Sequence, residues 1–560
     1  MKSKLPILFV IFSVCFSLKA EEPIHERVFI HADKDCYVAG EKILLKFYVI
    51  DRNFQPSDLS KVGYVEICDT VKPQMQMKVD LEKGSGAGEM RIPSDLPSGI
   101  YRLSGYTRYM RNEGDAVFFK KQIAVVNAGQ QYPDPKRFEL TDKYEKPQPE
   151  NRFDVNEPSG LSVRTNRNEY GNRQQVVLSL DNVPDNTADL VISVSRNDSI
   201  AFVPEMNNPI WQKQIKDTFR LSGQWLPEYE GHILTGRFVP KPQQGEDLLS
   251  SIAFVGKGIH YFNGQKNDDD GTANFYTSGI YGKQQIVTTV ISRFYEKVPY
   301  RMDIISPFAE TLPAGLPVLK IYPNEKQLTE RYIGAQLQVN ADSASSTAPI
   351  QFSEKGSLQP LLSYDLDQYT RFTSIGETIL EFISRVRVSK MGDKRRIKVF
   401  MEEDMRFSLK NTLVLLDGIP VYAHDDILNY NPMYVKRMNI YDGRYLFGGE
   451  SFECIVSFQT REGDLPFFQL SDNSQLLNYE CPQRPSPLEM PDYSIDKIIN
   501  SRKPDFRSTL YWNPSVEYTK DKPVNLSFYT SDLSGEFKVT VEGVTTDGKL
   551  IQNVSYFRVK

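Results

Sequence analysis

The residues best suited to chemistry are histidine and acidic side chains that lie next to one another. His424-Asp425-Asp426 is the one place where a histidine precedes two acids, and such a group could exchange a proton or bind a metal ion. The five histidines of the chain form neither an HExxH nor an HxxE spacing, the patterns that would indicate a zinc enzyme. We therefore interpret His424-Asp425-Asp426 as solvent-exposed surface rather than as an acid–base or metal site.

Two other segments could bind ions. Asp268-Asp269-Asp270 suggests calcium, but an EF-type loop needs spaced ligands and a closing glutamate, so a solvated β-turn is predicted. Gly84-Ser85-Gly86-Ala87-Gly88 suggests a phosphate loop, but no Lys-Ser or Lys-Thr pair follows it, so a flexible hairpin loop is predicted. No serine-hydrolase elbow, Walker A or dinucleotide-binding motif appears in a suitable setting. We predict no catalytic, cofactor-binding or metal-binding residue and no cofactor, and thus a protein that is not an enzyme.

Four cysteines follow the first twenty residues: Cys36, Cys68, Cys454 and Cys481. They form no CxxC pair and no zinc-type spacing with histidine. Cys36 and Cys68 fall within one predicted domain and could form a disulfide bond. The alternative is that all four are buried as small hydrophobic residues, and sequence spacing does not decide between the two.

The composition describes an ordinary folded protein of several domains. The chain has 560 residues, with 40% hydrophobic and 25% charged residues. Its 67 Lys and Arg residues against 72 Asp and Glu residues give a net charge of −5, which argues against a nucleic-acid partner. The 30 Tyr and 32 Phe residues favour β structure, because aromatic side chains suit a half-buried pleated surface.

Residues 1–20 have the pattern of a cleaved export signal. Lys2 and Lys4 precede an apolar run from Ile7 to Leu18, and Ala20 stands before an acidic pair. A run of this length is too short for a permanent membrane helix, which needs about 20 apolar residues. No later segment is long and apolar enough, so an exported protein without a transmembrane helix is predicted.

A short pattern recurs along the rest of the chain. In three places a tyrosine is followed by polar turn formers and, six positions later, by a β-branched residue: Tyr37 and Ile43, Tyr170 and Val176, Tyr518 and Val524. The segments 98–103 and 534–539 also match each other, each with a glycine before alternating residues. Strand–turn–strand copies of this kind predict repeated small β-sandwiches.

Two of these regions resemble known β-domains. Residues 28–34, Tyr37, Gly40-Glu41 and the 97–101 turn are similar to the macroglobulin-type sandwich of bacterial envelope proteins, and the protease-trapping thioester tetrapeptide of larger macroglobulins is absent. Residues 232–237 and 252–255 resemble the carboxypeptidase regulatory-like sandwich, an accessory domain without zinc.

The expected fold class is mainly β: tandem immunoglobulin-like or macroglobulin-like β-sandwiches with one small α/β domain. The predicted ranges are a signal (1–20), a macroglobulin-type sandwich (21–128), a Pro-rich linker (129–158), a second sandwich (159–230), a carboxypeptidase regulatory-like sandwich (231–306), a connecting β segment (307–367), the α/β domain (368–462), a linker (463–504) and a C-terminal β-sandwich segment (505–560).

The periodicity changes in the segment 368–462. Ser374-Ile375-Gly376-Glu377 has the form of a capping box, and apolar residues at helical spacing from Ile375 to Val386 predict one amphipathic helix of about three turns. Residues 413–416 predict a buried strand that enters a tight turn at Asp417-Gly418. A second strand is predicted at 454–460, after the Gly448-Gly449 pair.

This order of elements is similar to the plug domain of TonB-dependent outer-membrane receptors. Asp417-Gly418, Arg437, Gly443 and Gly448-Gly449 match that pattern. The resemblance implies a binding or assembly module, and its exposed aromatic and arginine side chains are candidate contacts. The predicted partner-binding residues are Asp417, Gly418, Arg437, Tyr441, Arg444, Tyr445 and Phe447; a place in the domain's own core is the alternative for the aromatic ones.

A receptor barrel of 22 strands needs about 220 residues, and 100 residues follow Thr460. The segment is therefore expected to act without a barrel of its own, by docking. We predict an exported, non-enzymatic protein of the periplasm or outer membrane of a Gram-negative bacterium. Its expected partner is an outer-membrane β-barrel or another envelope protein.

Two other functions stay open at the level of sequence. The first is a surface protein that binds a glycan or a peptide through its sandwich loops. The second is a hydrolase whose catalytic groups are distant in sequence and converge only in the fold.

Overall fold

The computed structural model of the chain describes residues 24–130, 134–141, 161–198, 200–203, 206, 211, 222–256, 258–267, 270–322, 324–345, 358–409, 412–447, 450–484, 488, 490–518, 524–547 and 550–560. The predicted export signal, most of the predicted linker 129–158, Asp268, Asp269 and Gly448-Gly449 lie outside the described residues.

The strands are β1 (Arg27–Ala32), β2 (Cys36–Val38), β3 (Lys42–Ile50), β4 (Val62–Cys68), β5 (Pro73–Asp80), β6 (Ser85–Arg91), β7 (Gly99–Thr107), β8 (Phe119–Val126), β9 (Phe138–Leu140), β10 (Ser162–Thr165), β11 (Glu169–Tyr170), β12 (Gln175–Asp181), β13 (Thr187–Arg196), β14 (Ile233–Val239), β15 (Leu248–Phe254), β16 (Tyr261–Asn267), β17 (Thr272–Tyr276), β18 (Lys283–Ser292), β19 (Arg301–Ile304), β20 (Leu319–Ile321), β21 (Leu362–Asp365), β22 (Val386–Met391), β23 (Lys394–Met401), β24 (Arg406–Phe407), β25 (Thr412–Leu416), β26 (Ile419–Pro420), β27 (Val435–Phe447), β28 (Glu450–Thr460), β29 (Ser474–Glu480), β30 (Thr509–Asn513), β31 (Val524–Tyr529), β32 (Gly535–Thr545) and β33 (Leu550–Val559). The α-helices are α1 (Glu325–Ser345), α2 (Ile375–Phe382), α3 (His424–Leu428) and α4 (Asp496–Ile499), with short 3₁₀ turns at Tyr109–Asn112, Asp115–Val117, Leu366–Gln368 and Pro432–Tyr434.

Strands account for 48% of the structure and helices for 9%, so the expected mainly β fold class is confirmed. The first eight strands form sandwich 1, in which the sheet β1-β3-β6 faces the sheet β2-β8-β7-β4-β5. All pairs in these sheets are antiparallel except β2 with β8. The glycine run predicted as a loop is mostly strand: only Gly84 lies in a turn, and Ser85 to Gly88 open β6.

A second sandwich has the same topology as the first. In sandwich 2 the sheet β10-β12-β31 faces the sheet β11-β33-β32-β13-β30, again with one parallel pair, β11 with β33. Numbered within each sandwich, the strand orders are identical: 1-3-6 and 2-8-7-4-5. Tyr37 and Tyr170 occupy equivalent places, and each hydroxyl donates to the side chain four positions earlier: Asp33 (2.9 Å) and Asn166 (2.6 Å).

The domain ranges expected from sequence are revised by this topology. Residues 159–230 and 505–560 were expected to be separate units, but their strands alternate in the sheets of one sandwich, with a long insertion between β13 and β30. The Tyr518 pattern is therefore not a third copy: its hydroxyl donates to the Thr187 carbonyl within sandwich 2. The expected linker 463–504 contains β29, which pairs with β18 of the preceding unit.

The insertion between β13 and β30 contains a second insertion. Its outer part is a seven-stranded sheet unit with the order β19-β14-β17-β16-β15-β18-β29. Between β19 and β29 the chain leaves this sheet to form an α/β unit, residues 358–468, with the sheets β21-β27-β28-β25-β26 and β22-β23-β24 and helices α2 and α3. The apolar residues of the α/β unit share one core cluster with Ala253, Val255 and Tyr261 of the sheet unit.

Helix α2 begins where the sequence predicts but is shorter than predicted. The Ser374 Oγ accepts from the Glu377 N–H (3.2 Å), a free donor of the first turn, and the Glu377 carboxylate accepts from the N–H of Thr373 (3.1 Å), the residue before the N-cap. The helix ends at Phe382 after eight residues, and Val386 already belongs to strand β22. The apolar period that predicted a longer helix continues into a strand because both elements face the same core.

Sandwich 1 packs against both sandwich 2 and the sheet unit. Strands β1 and β4 are buried along their whole length, so their side chains do not alternate between exposed and buried. Val191, Trp512 and Val544 of sandwich 2 belong to the same core cluster as Phe29 and Tyr48 of sandwich 1. The outer face of the β1-β3-β6 sheet is therefore an internal interface.

Candidate functional site

Asp417 and Gly418 form the two-residue turn between β25 and β26. Both residues have positive φ (46° and 81°), as a type I′ hairpin turn requires, and Leu416 pairs with Ile419 across it. A side chain at Gly418 would come within 2.7 Å of the Phe254 carbonyl oxygen, so only glycine fits against the sheet unit. Of the seven predicted contact residues, these two therefore face the chain's own interior.

The three predicted aromatic contacts pack inside the molecule to different extents. Tyr441 is buried, and the half-buried Tyr445 donates from its hydroxyl to the Asp442 carbonyl (3.1 Å). The Phe447 ring packs edge-on against Tyr261, with 5.4 Å between the centroids, and its carbonyl accepts from Asn263 Nδ2 (2.8 Å). These side chains hold the β27–β28 hairpin against the sheet unit, which is the core role that sequence left open for them.

Arg437 and Arg444 are the two predicted contact residues whose side chains are exposed. Leu446, on the same strand, is 77% exposed and lies opposite Ser451 in the β27–β28 ladder. Glu453, two residues beyond Ser451 on the same face, accepts from the Leu409 N–H (2.7 Å), and the Leu409 side chain is 73% exposed. We call Leu409, Arg444 and Leu446 the hairpin surface.

Exposed apolar side chains are concentrated on the α/β unit. Five of its residues are between 73% and 82% exposed: Leu380, Met405, Leu409, Leu446 and Phe467. Single exposed apolar residues are ordinary on protein surfaces, and this unit is distinguished by having five of them. Sequence periodicity did not find either residue of the hairpin surface, because Leu446 continues the alternation of β27 and Leu409 lies in the connection between β24 and β25.

His424 is buried, which corrects its interpretation as solvent-exposed surface. Its Nδ1 accepts from the Ile397 N–H (2.9 Å), and burial together with the Arg396 and Lys398 cations lowers its pKa to about 3. The imidazole is therefore neutral at ordinary pH. Asp425 instead binds Arg395 (2.6 Å), and only Asp426 is exposed.

A serine, a histidine and a glutamate converge between the two sandwiches. His31 of β1 contacts Glu542 through Nδ1 (2.5 Å) and Ser193 through Nε2 (3.0 Å), and its ring stacks on Trp512. The order Glu–His–Ser matches that of hydrolytic triads. Ser193 is only 2% exposed and His31 4%, so a substrate carbonyl cannot reach the hydroxyl while the sandwiches are docked. In this arrangement the three residues join the sandwiches.

A second buried histidine joins sandwich 1 to the sheet unit. His232 contacts Glu228 through Nδ1 (2.9 Å) and the Tyr479 hydroxyl through Nε2 (2.6 Å), and the Tyr64 hydroxyl also donates to Glu228 (2.9 Å). Burial lowers the pKa of His232, so the ring is neutral and works as a hydrogen-bond relay. Lys78 lies over the Tyr479 ring, 4.5 Å from its centroid, and burial lowers its pKa to about 8.

Helix α1 supplies the third buried junction. Arg331 is 1% exposed, donates to both oxygens of Glu41 (2.9 and 2.5 Å) and to Asp198 Oδ2 (2.8 Å), and also bonds the Cys36 carbonyl (2.9 Å). Glu41 belongs to sandwich 1 and Asp198 lies two residues after the end of β13, so one guanidinium bridges the two sandwiches. No sequence pattern marked these three junctions, since each pairs residues more than a hundred positions apart.

Within the described ranges, no cluster of three or more metal-ligating side chains is present. None of the helices there is long and apolar enough to cross a membrane.

The four described cysteines are free, so the possible Cys36–Cys68 disulfide bond is not formed. Burial raises the pKa of each thiol to about 12. Because the thiolate is the reactive form, we expect Cys68, Cys454 and Cys481 to resist alkylation at pH 8 in the native chain and to react fully after unfolding. Intact mass before and after alkylation measures this. A mass gain of two hydrogens on reduction would contradict the free thiols.

Comparison with known proteins gives distant structural likenesses. No protein-family model and no curated protein matches the chain. Among solved structures, Escherichia coli alpha-2-macroglobulin activated by porcine elastase matches 96% of this chain and 44% of its own, at 9% identity and a TM-score of 0.25. The trypsin-activated form from the same organism matches 95% and 41%, at 9% identity and 0.24, and the Escherichia coli adhesin FdeC matches 54% and 66%, at 10% identity and 0.15. The chain thus spans less than half the length of these macroglobulins, and at such TM-scores the likenesses assign it no family and no activity.

Proposed function

We propose that this protein is a non-enzymatic, exported envelope protein that binds another envelope component through its α/β unit. The observation that carries the proposal is the concentration of exposed apolar side chains on that unit, described above. The buried junctions at His31, His232 and Arg331 support it. They hold the two sandwiches and the sheet unit together by buried hydrogen bonds, so these units can present the α/β unit to a partner.

The resemblance of 368–462 to receptor plug domains suggests the class of partner. The strands that follow Thr460, β29 to β33, complete the sheet unit and sandwich 2. They are thus already paired within the chain and form no barrel around the α/β unit, and the partner class that the resemblance suggests is an outer-membrane β-barrel. The exposed Arg437 and Arg444 are of the residue type that anchors protein interfaces, and the exposed side chains of Leu409 and Leu446 add apolar area that a partner can bury.

A capture experiment with paired variants tests this proposal. The full chain is immobilised and incubated with detergent-solubilised envelopes of a Gram-negative bacterium, and captured proteins are identified by mass spectrometry. We expect Leu446→Asp to reduce capture of the specific component at least tenfold, because burying a leucine contributes about 1.5–3 kcal/mol. Val71→Asp is the matched control, since Val71 is 75% exposed on sandwich 1.

Two outcomes would contradict the proposal. One is capture of no envelope component by the unaltered chain. The other is equal loss of capture in Leu446→Asp and Val71→Asp, which would indicate a general effect of the added charge. Cell fractionation with surface protease accessibility tests the proposed location independently.

A further inference from the structure

One face of the β22–β23 hairpin carries a set of cations. Arg387 lies directly opposite Lys398 and Ser389 opposite Arg396, so these side chains project from the same face of the ladder. The other face carries Val386, Val388, Ile397 and Val399, which join the core of the α/β unit. Like charges placed directly across a ladder destabilise it, so this arrangement has a cost that its apolar face must offset.

The two arginines of this face contact neutral groups. The Arg387 guanidinium lies over the Phe407 ring, 3.9 Å from the centroid, and Arg396 Nη1 donates to the Tyr422 carbonyl (2.8 Å). Throughout the described part of the chain, no carboxylate forms an ion pair with either guanidinium. The Lys398 ammonium donates to the Leu409 carbonyl (2.9 Å), and its pKa is lowered by burial and by Arg396 and Arg387, against the influence of Glu453.

Arg396 also lines a cavity between the α/β unit and the sheet unit. The cavity is small, about 20 Å³, and is partly open to solvent, and polar residues on its walls include Tyr295, Thr412, Tyr422 and His424. His424 is neutral there, so the positive charge at this wall comes from Arg396 and its neighbours on the hairpin.

We propose that this basic face, centred on Arg387 and Arg396, binds the phosphate or sulfate group of a small ligand. Two planar guanidinium groups on one face suit a tetrahedral oxyanion, because each can donate a pair of parallel hydrogen bonds. The net charge of −5 opposes a long polyanion, so a single anionic group on a small molecule fits better than a nucleic acid or an acidic polymer. This site goes beyond the proposed docking function, and it borders the hairpin surface at Leu409, whose carbonyl accepts from Lys398.

Calorimetric titration of the full chain at constant ionic strength tests the site. The probes are glucose 6-phosphate, inorganic sulfate, and glucose as the neutral reference. We expect the two anions to bind and glucose not to bind. The double variant Arg387→Gln/Arg396→Gln should bind the anions at least tenfold more weakly, because it removes the charge-assisted hydrogen bonds that the two guanidinium groups would donate. Arg167→Gln is the matched control, an exposed arginine of sandwich 2 that should bind as the unaltered chain does.

A second variant and a second probe separate the alternatives. The variant Arg387→Lys/Arg396→Lys keeps both positive charges but loses the planar guanidinium groups that donate paired hydrogen bonds, so intermediate binding is expected. Circular dichroism checks that each variant is folded. Equal anion binding by the glutamine variant and the control, or no binding by the unaltered chain, would overturn the proposal. Binding to phosphatidylglycerol vesicles without binding to glucose 6-phosphate would overturn it too, since the ligand would then be a membrane surface.

Discussion

Replacing Arg331 by methionine is expected to lower the free energy of unfolding by about 3–5 kcal/mol. Methionine has a comparable length and can fill much of the space, so the loss reports the charge rather than a cavity. The substitution leaves the Glu41 carboxylate and Asp198 buried without their shared cation, although Lys34 stays 3.4 Å from Glu41 and Arg196 stays 3.3 Å from Asp198. Uncompensated buried charge is among the costliest single changes in a protein.

The dependence of this loss on pH gives a second measurement. Burial would raise the pKa of Glu41, but Arg331 and Lys34 outweigh it and hold the value at about 2. A carboxyl whose folded pKa lies below its unfolded value stabilises the fold above that unfolded value, near 4.5, and loses this contribution as the pH falls towards 2. The stability difference between the unaltered chain and Arg331→Met should therefore shrink between about pH 4.5 and pH 2.

Denaturant unfolding followed by tryptophan fluorescence measures both effects, because Trp512 lies buried at the junction of the sandwiches. Lys326→Met is the control, since the Lys326 side chain is 76% exposed on the same helix. A loss below about 1 kcal/mol for Arg331→Met, or an equal loss for the two variants, would show that the junction does not depend on this guanidinium.

The repeated sandwich could be predicted from local pattern because its signals are local. Tyr37 and Tyr170 each close a turn with a side chain four residues earlier, and the glycines that begin β7 and β32 occupy equivalent places. The nesting could not be predicted in this way. Strand β30 pairs with β13 across more than three hundred residues, and a strand pattern specifies which face is apolar without specifying its partner.

The candidate site shows the same limit. The Asp417-Gly418 turn follows from a two-residue motif, and the structure has that turn. The burial of Tyr441 and the exposure of Leu446 depend on where the sheet unit lies, which is fixed by contacts such as Asn263 with Phe447. Sequence therefore located the segment, while tertiary packing decided which of its side chains a partner can reach.

Replacing Asp417 by alanine is expected to lower the free energy of unfolding by at least about 3 kcal/mol. The carboxylate is fully buried and accepts from the Thr460 N–H (2.7 Å), the Thr460 hydroxyl (2.6 Å) and the Leu465 N–H (3.0 Å). Each buried donor left without a partner costs about 1–3 kcal/mol. Alanine at the positive φ of this turn adds roughly 1 kcal/mol, because its Cβ clashes where aspartate and asparagine are better tolerated.

Asp417→Asn and Glu462→Ala separate the causes of this loss. Asparagine tolerates the backbone conformation and keeps one acceptor oxygen, so an intermediate loss is expected; Glu462 is exposed in the following turn, and its replacement should change little. If Asp417 served a partner directly, the alanine variant would keep its stability and lose only capture of the envelope component. Thermal unfolding and capture, measured on the same preparations, distinguish the two. We expect stability to fall and capture per folded molecule to be retained, because the carboxylate fixes the turn from within and Leu446 and Leu409 remain at the surface.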